Sequence, residues 1–142
     1  MLTLKHAAAI TDAALEHGRN AGFAPLCIVV LDVGGHALAL KRDERASISR
    51  PQIATAKAAG CLGMGFGGRE LAKRAAAAPG FYAALASVFA QGIVPVAGGV
   101  LIRDASGAVI GAVGVSGDTS DNDELCALAG IASAGLTADT GA

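Results

Sequence analysis

Apolar positions along the chain fall into runs with two different periods. Leu4, Ala7, Ala8, Thr11, Ala14, Leu15 and Gly18 recur at three- and four-residue spacing, the stripe of a helix. Thr3 supplies its cap, and Gly18 and Gly22 end it near Arg19. Leu26 to Leu31 is a continuous β-branched and aliphatic run, short enough for a strand covered on both faces. Asp32-Val33-Gly34-Gly35 turns the chain, and His36 to Lys41 returns as a second strand. After a polar break, Ser49 and Pro51 open an Ala-rich helix that runs from Gln52 to about Leu62. Gly60, Gly63, Gly65, Gly67 and Gly68 predict a flexible stretch. Short helices follow at Arg69 to Ala77 and, past a Pro79-Gly80 stop, at Phe81 to Phe89.

The second half repeats the hairpin. Pro95 to Gly99 leads into a strand at Val100 to Arg103, Ala105-Ser106-Gly107 turns, and Ala108 to Val115 forms the next strand. There Val109, Val113 and Val115 alternate with the small residues Ala112, Gly114 and Ser116. Asp118 to Asn122 caps a last helix through Ala134, stopped by Gly135, and Thr137 to Ala142 reads as a frayed tail. Two hairpins imply an antiparallel sheet with helices grouped on one face, an α+β fold in a single domain over residues 1–142.

Composition narrows what can fill that fold. Hydrophobic residues make up 53% and charged residues 16%, which excludes disorder, while aromatics are only 4%. The core is therefore aliphatic, with close backbone approaches among the 20 glycines, and so few charges predict a surface partly covered by a second copy. A net charge of −1 argues against a general nucleic-acid binder. The charge is uneven: Lys41 to Arg74 holds eight basic and three acidic residues, for +5, whereas Asp104 to the end holds six acidic and none basic. Charge balance within the fold explains this, or the basic segment lines a site for an anionic small molecule. Cys27, Cys61 and Cys126 lie far apart without metal spacing and read as buried free thiols. With no signal-peptide core at the N-terminus and no membrane-length run, the expected location is the cytoplasm.

Candidate chemistry is sparse. No dinucleotide fingerprint, P-loop, calcium loop, nucleophile elbow or paired metal-spaced histidines occur. Lys57 stands alone among Ala54, Ala56, Ala58 and Ala59, so it either reaches solvent or answers an anion. Arg50, seven residues earlier, shares its helix face and could help grip a carboxylate beside a wall of Gly98, Gly99 and Ser116. Asp121 and Glu124 complement the positive end of the last helix, or pair with a basic residue across the sheet edge. His36, just past the Gly-Gly turn, is a surface or half-buried histidine, or else the one imidazole of the chain suited to acid/base work or to holding an iron.

Gly98 to Asp104, Gly107 to Gly117 and Asp121-Asn122-Asp123-Glu124 together resemble the C-terminal signature of the GlcG/HbpS-like haem-binding family. Ile53-Ala54-Thr55-Ala56-Lys57-Ala58 resembles its central helix, and Asp32 to His36 its first hairpin. The chain also resembles the corrinoid- or haem-binding C-terminal domain of PduO-type adenosyltransferases. The resemblance implies an about five-stranded antiparallel sheet flanked by helices in one profilin-like domain, assembled into dimers or larger rings. It implies haem or another tetrapyrrole as the ligand, and carries no iron ligand onto His36 by motif; on the residues themselves, Arg50 and Lys57 are the candidates to anchor its carboxylates. The alternative is a hydrolase, deaminase or isomerase of small-molecule catabolism acting on a carboxylated metabolite, with Asp121 or Glu124 as acid/base and Arg50 as clamp. A ligand-free structural oligomer is the third reading.

Overall fold

The computed structural model describes residues 1–142. Helix α1 (Leu4–Ala21) is capped as its sequence demands: Thr3 Oγ1 accepts from the His6 N–H, His6 Nδ1 accepts from the Thr3 N–H, and Gly22 closes the other end at φ 72°. The first hairpin is β1 (Cys27–Asp32) and β2 (Ala37–Arg42), and the second is β3 (Gly99–Arg103) and β4 (Val109–Ser116). Between them lie α2 (Arg50–Met64), α3 (Gly68–Ala77), α4 (Pro79–Ala84) and a 3-10 turn (Leu85–Ser87). Helix α5 (Ser120–Ser133) and a short β5 (Thr137–Asp139) complete the chain. The five strands form one antiparallel sheet in the order β2-β1-β4-β3-β5.

Helices cover both faces of this sheet, not one. Alternation along the central strands sends Ile28, Val30, Val100, Val113 and Val115 toward α1 and α5, where Ile10, Ala14, Ala127 and Ile131 meet them. Val29, Leu31, Leu101 and Ala112 point the other way, onto Ala54, Ala58 and Cys61 of α2 and onto Leu71, Tyr82 and Leu85. The continuous apolar run of β1 is what a strand with two covered faces requires. Val109 departs from the expected alternation and packs with the α2 cluster, because the β3–β4 register slips between Ile102 and Arg103.

Three further expectations are corrected. The glycine-rich segment is not flexible: α2 continues through Gly60 and Gly63 because Ile93 and Phe89 sit where side chains would be, 2.7 and 2.9 Å from an added Cβ. Pro79-Gly80 starts α4 rather than ending a helix, Pro being suited to the first turn. The tail is tied down: Thr137–Asp139 pairs with β3, Arg103 Nε donates to Asp139 Oδ2 at 2.9 Å, and the Arg69 N–H donates to Thr140 O at 3.0 Å.

Small residues let α2 lie directly on the sheet. A Cβ on Gly114 would stand 1.9 Å from Ala54 O, and one on Gly99 would stand 2.6 Å from Lys57 O. Contact of backbone on backbone lowers α2 far enough to bring the Lys57 side chain through to the far end of β4.

Candidate functional site

The sheet end beneath α2 gathers most of the charged candidates. Lys57 is 4% exposed, and its Nζ donates to Val115 O at 2.9 Å and to Asp123 Oδ2 at 3.0 Å. Asp123, 1% exposed, also accepts the Asp118 N–H at Oδ1, 3.0 Å away. Burial raises the Asp123 carboxyl above its ordinary value, and Lys57 and the Asp118 amide oppose that rise. The ammonium therefore neither reaches solvent nor stands free for a ligand. Its anion is a residue of the same chain. Gly98 makes room for this pair, since a Cβ there would lie 2.9 Å from Lys57 Nζ.

Arg50 does not join Lys57 on a shared anion. Its Nη1 donates to Ser116 Oγ at 3.0 Å and its Nε to Ser47 Oγ at 3.2 Å. Asp121 and Glu124 converge on Arg69 at the start of α3, whose Nη2 lies 2.9 Å from Asp121 Oδ1 and whose Nε donates to Glu124 Oε1 at 3.0 Å. Glu124 Oε2 is buried without a hydrogen-bond partner, although the same Nε lies 2.9 Å away off the hydrogen-bonding direction. Asp118 is held below its ordinary value by the Ala24 amide, the Asn122 side chain and the Thr119 amide. Thr119 caps α5 by accepting from the Asn122 N–H.

Asp123 and Arg69 were not among the sequence candidates. Asp123 was legible in retrospect, because it shares the inner face of α5 with Cys126, Ala127 and Gly130 and so had to be buried. Nothing in the sequence distinguished Arg69 from the other arginines of the basic segment.

The hollows of the molecule lie elsewhere. None of Arg50, Lys57, Gly98, Gly99, Ser116, Asp121 or Glu124 lines any of the three cavities. The largest, about 470 Å³, opens between the first hairpin, the N-terminus and β4, with apolar walls from Met1, Leu2, Val33, Leu38, Val109 and Ile110. His36 and Asp32 are its polar members. Asp32 Oδ1 fixes the turn by accepting the Gly34 N–H at 2.9 Å and the His36 N–H at 3.0 Å, and the exposed imidazole makes no hydrogen bond of its own within the protein. On the other side of the hairpin tip a cleft of about 310 Å³ lies against α2, and a third cavity of about 430 Å³ runs on from it toward Pro51 and Gln52. No three His, Cys, Asp or Glu side chains converge as a metal site.

The family described as "Haem degrading protein HbpS-like" matches residues 2–132. The chain belongs to the HbpS-like family. Its fold recurs in a crystal structure of HbpS, 31% identical over 92% of this chain and 88% of that one, with a TM-score of 0.79. The protein ORFY of Klebsiella pneumoniae is 28% identical, over 94% of this chain and 90% of that one, at the same TM-score of 0.79. A PduOC:heme complex, 22% identical, superposes over 96% of each chain with a TM-score of 0.84 and shares the fold. No curated protein sequence matches the chain. Membership joins this sheet, its helices on two faces and the Lys57-bearing central helix to a family of haem proteins.

The His36 cavity carries residue types that a haem group uses. A porphyrin needs apolar surface for its faces and a ligand for its iron, and this cavity places one free imidazole beside six apolar residues. The shortage of aromatic rings is no obstacle where aliphatic walls do the covering. The Lys57 end fits less well, since its cation is already neutralised and no hollow adjoins it.

Proposed function

We propose that this HbpS-like protein binds haem in the cavity beneath the first hairpin, with His36 supplying a nitrogen to the iron. The observation that carries the reading is a single imidazole, unengaged by the protein, on the edge of the largest and most apolar cavity. A neutral imidazole is a normal iron ligand, and the Asp32-fixed turn holds its backbone in place. Arg50 with Ser116 remains the cation available for a carboxylate outside this cavity, because Lys57 is spoken for by Asp123. The enzyme reading has less support: Arg69 occupies Asp121 and Glu124, and neither opens on a cavity.

Exposed Ile48 and Phe81, at 88% and 58%, favour a homo-oligomer in which a second copy covers part of this surface. Burial raises the Cys61 and Cys126 thiols to about 12, so they stay protonated and inert, as suits the cytoplasm. No helix is long and apolar enough to cross a membrane.

Hemin titration of the full chain tests the haem reading. The expected result is a sharp Soret band saturating at one haem per chain, lost in His36→Ala and retained in Arg50→Ala. Wild-type spectrum and affinity in His36→Ala would overturn the assignment of the iron ligand. A diffuse, unsaturable absorbance in the wild type would overturn haem binding itself.

A further inference from the structure

The hairpin tip separates two clefts, and the proposed haem site uses only one of them. Val33 and Gly34 line both. The second cleft is bounded by the tip, by Ala59 and Leu62 of α2, and by Phe89 and Gln91 in the turn that follows the 3-10 segment. At about 310 Å³ it is at the lower end of the size of small-molecule pockets, too small for a porphyrin and ample for a one- or two-ring compound.

Its walls are set by close packing. Phe89 is seated on Gly63, where an added Cβ would lie 2.9 Å from the ring. Gln91 reaches back over the hairpin, its Oε1 3.3 Å from where a Cβ on Gly35 would be, and Gly35 has a φ of 84° that favours glycine there. The Gln91 amide makes no hydrogen bond within the protein, so its donor and acceptor are both free at the mouth. No ionisable side chain lines this cleft or the cavity that continues it past Ala90 and Gln91 toward Thr55. Charges on the neighbouring helices are turned to other partners, Lys57 to Asp123, Arg69 to Asp121 and Glu124, and Arg74 to Glu70.

We propose that the cleft between the hairpin tip, α2 and the Phe89–Gln91 turn is a second ligand site, for a neutral, largely apolar ring compound carrying one hydrogen-bonding group to Gln91. A charged analogue would have to leave its ion unpaired against Ala59, Leu62 and Phe89, which carries a desolvation cost that nothing in the lining returns. The site does not depend on haem.

The test uses indole as the neutral probe, with tryptamine and indole-3-carboxylate as its cationic and anionic counterparts, followed by amide NMR of the full chain without haem. Indole is expected to shift the Gln91 side-chain amide and the Gly34, Gly35 and Gly63 amides saturably, with the charged analogues at least about tenfold weaker. Ala59→Phe fills the cleft and should abolish these shifts. Gln91→Leu, at an exposed position that folding does not need, should weaken indole by about threefold or more. His36→Ala should bind indole as the wild type does, which separates this site from the haem proposal. Shifts that do not saturate, that spread over the molecule, that survive both cleft variants, or that the charged analogues reproduce at equal affinity would each overturn it.

Discussion

The buried Lys57–Asp123 pair gives the sharpest energetic prediction. Replacing Lys57 by Met keeps the length and apolar stem of the side chain and removes only the ammonium. Asp123, 1% exposed, is then left with the Asp118 N–H as its remaining partner. Stranding one member of a buried pair costs about 3–5 kcal/mol at neutral pH. For a chain of this length that corresponds to a fall of roughly 10–20 °C in Tm. The pair itself is a different matter, since the attraction between two buried charges mainly offsets their desolvation. A double variant, Lys57→Met with Asp123→Asn, removes both charges and keeps an oxygen for the Asp118 N–H. It should recover more than half of the loss.

The sign of the pH dependence follows from the direction of the Asp123 shift. Burial raises its carboxyl above the ordinary 3.8, so between 3.8 and the folded-state value the folded protein holds a proton that the unfolded chain has released. Stability from this group is therefore present at low pH and is lost as pH rises through the folded value. Removing Lys57 deletes two of the influences that lower the value and widens that window upward. The deficit of Lys57→Met relative to the wild type should grow with pH and nearly vanish below 3.8, where Asp123 is protonated in both states. Urea denaturation followed by circular dichroism across pH, with a common m-value, measures it. A deficit under about 1 kcal/mol at pH 7, or one that does not change with pH, would refute the reasoning.

Two other substitutions probe how the layers are assembled. Gly114→Ala places a methyl 1.9 Å from a backbone oxygen of α2, where no rotamer change can relieve it, so the loss should exceed the usual overpacking cost of about 1–3 kcal/mol; a wild-type unfolding midpoint would show that α2 does not ride on β4. Truncation after Leu136 removes β5, the Arg103–Asp139 pair and the Thr140 acceptor for the Arg69 N–H, and should lower stability by about 1 kcal/mol for each backbone hydrogen bond lost. An unchanged midpoint in the truncated chain would show that the last strand contributes nothing.

Local signals in the sequence located nearly every element, because each rests on a feature of a few residues. Thr3, Gly22 and Thr119 announce helix ends through their own caps, and the Asp32 to Gly35 turn announces its hairpin. What escaped was non-local. Gly60 and Gly63 look like breaks until Ile93 and Phe89, some 30 residues later, are seen to occupy the space their side chains would fill. Thr137 to Asp139 lacks an apolar alternation because it is a three-residue edge strand held through its backbone to β3. The two-faced arrangement of helices was legible in part, since the unbroken apolar run of β1 already demanded cover on both sides. The candidate residues divide along the same line: the place of His36 at a cavity edge follows from a turn, whereas the fate of Lys57 depended on a carboxylate 66 positions away.

Charge is distributed so that most of it is used up before a ligand arrives. The basic middle and acidic end of the chain meet as Lys57 with Asp123 and as Arg69 with Asp121 and Glu124, and Arg103 closes on Asp139. These contacts fasten α2, α3 and β3 to α5 and β5, so the asymmetry read along the sequence is cross-bracing between the two halves of the fold. The cavities are left mostly to apolar side chains and glycine, with His36 and Asp32 on one side of the hairpin tip and Gln91 on the other. Recognition in such hollows comes from shape, apolar contact and a single directed polar group. It follows that ligand affinity at either cleft should vary little with salt, whereas an anion gripped by free arginine and lysine would be released as ionic strength rises.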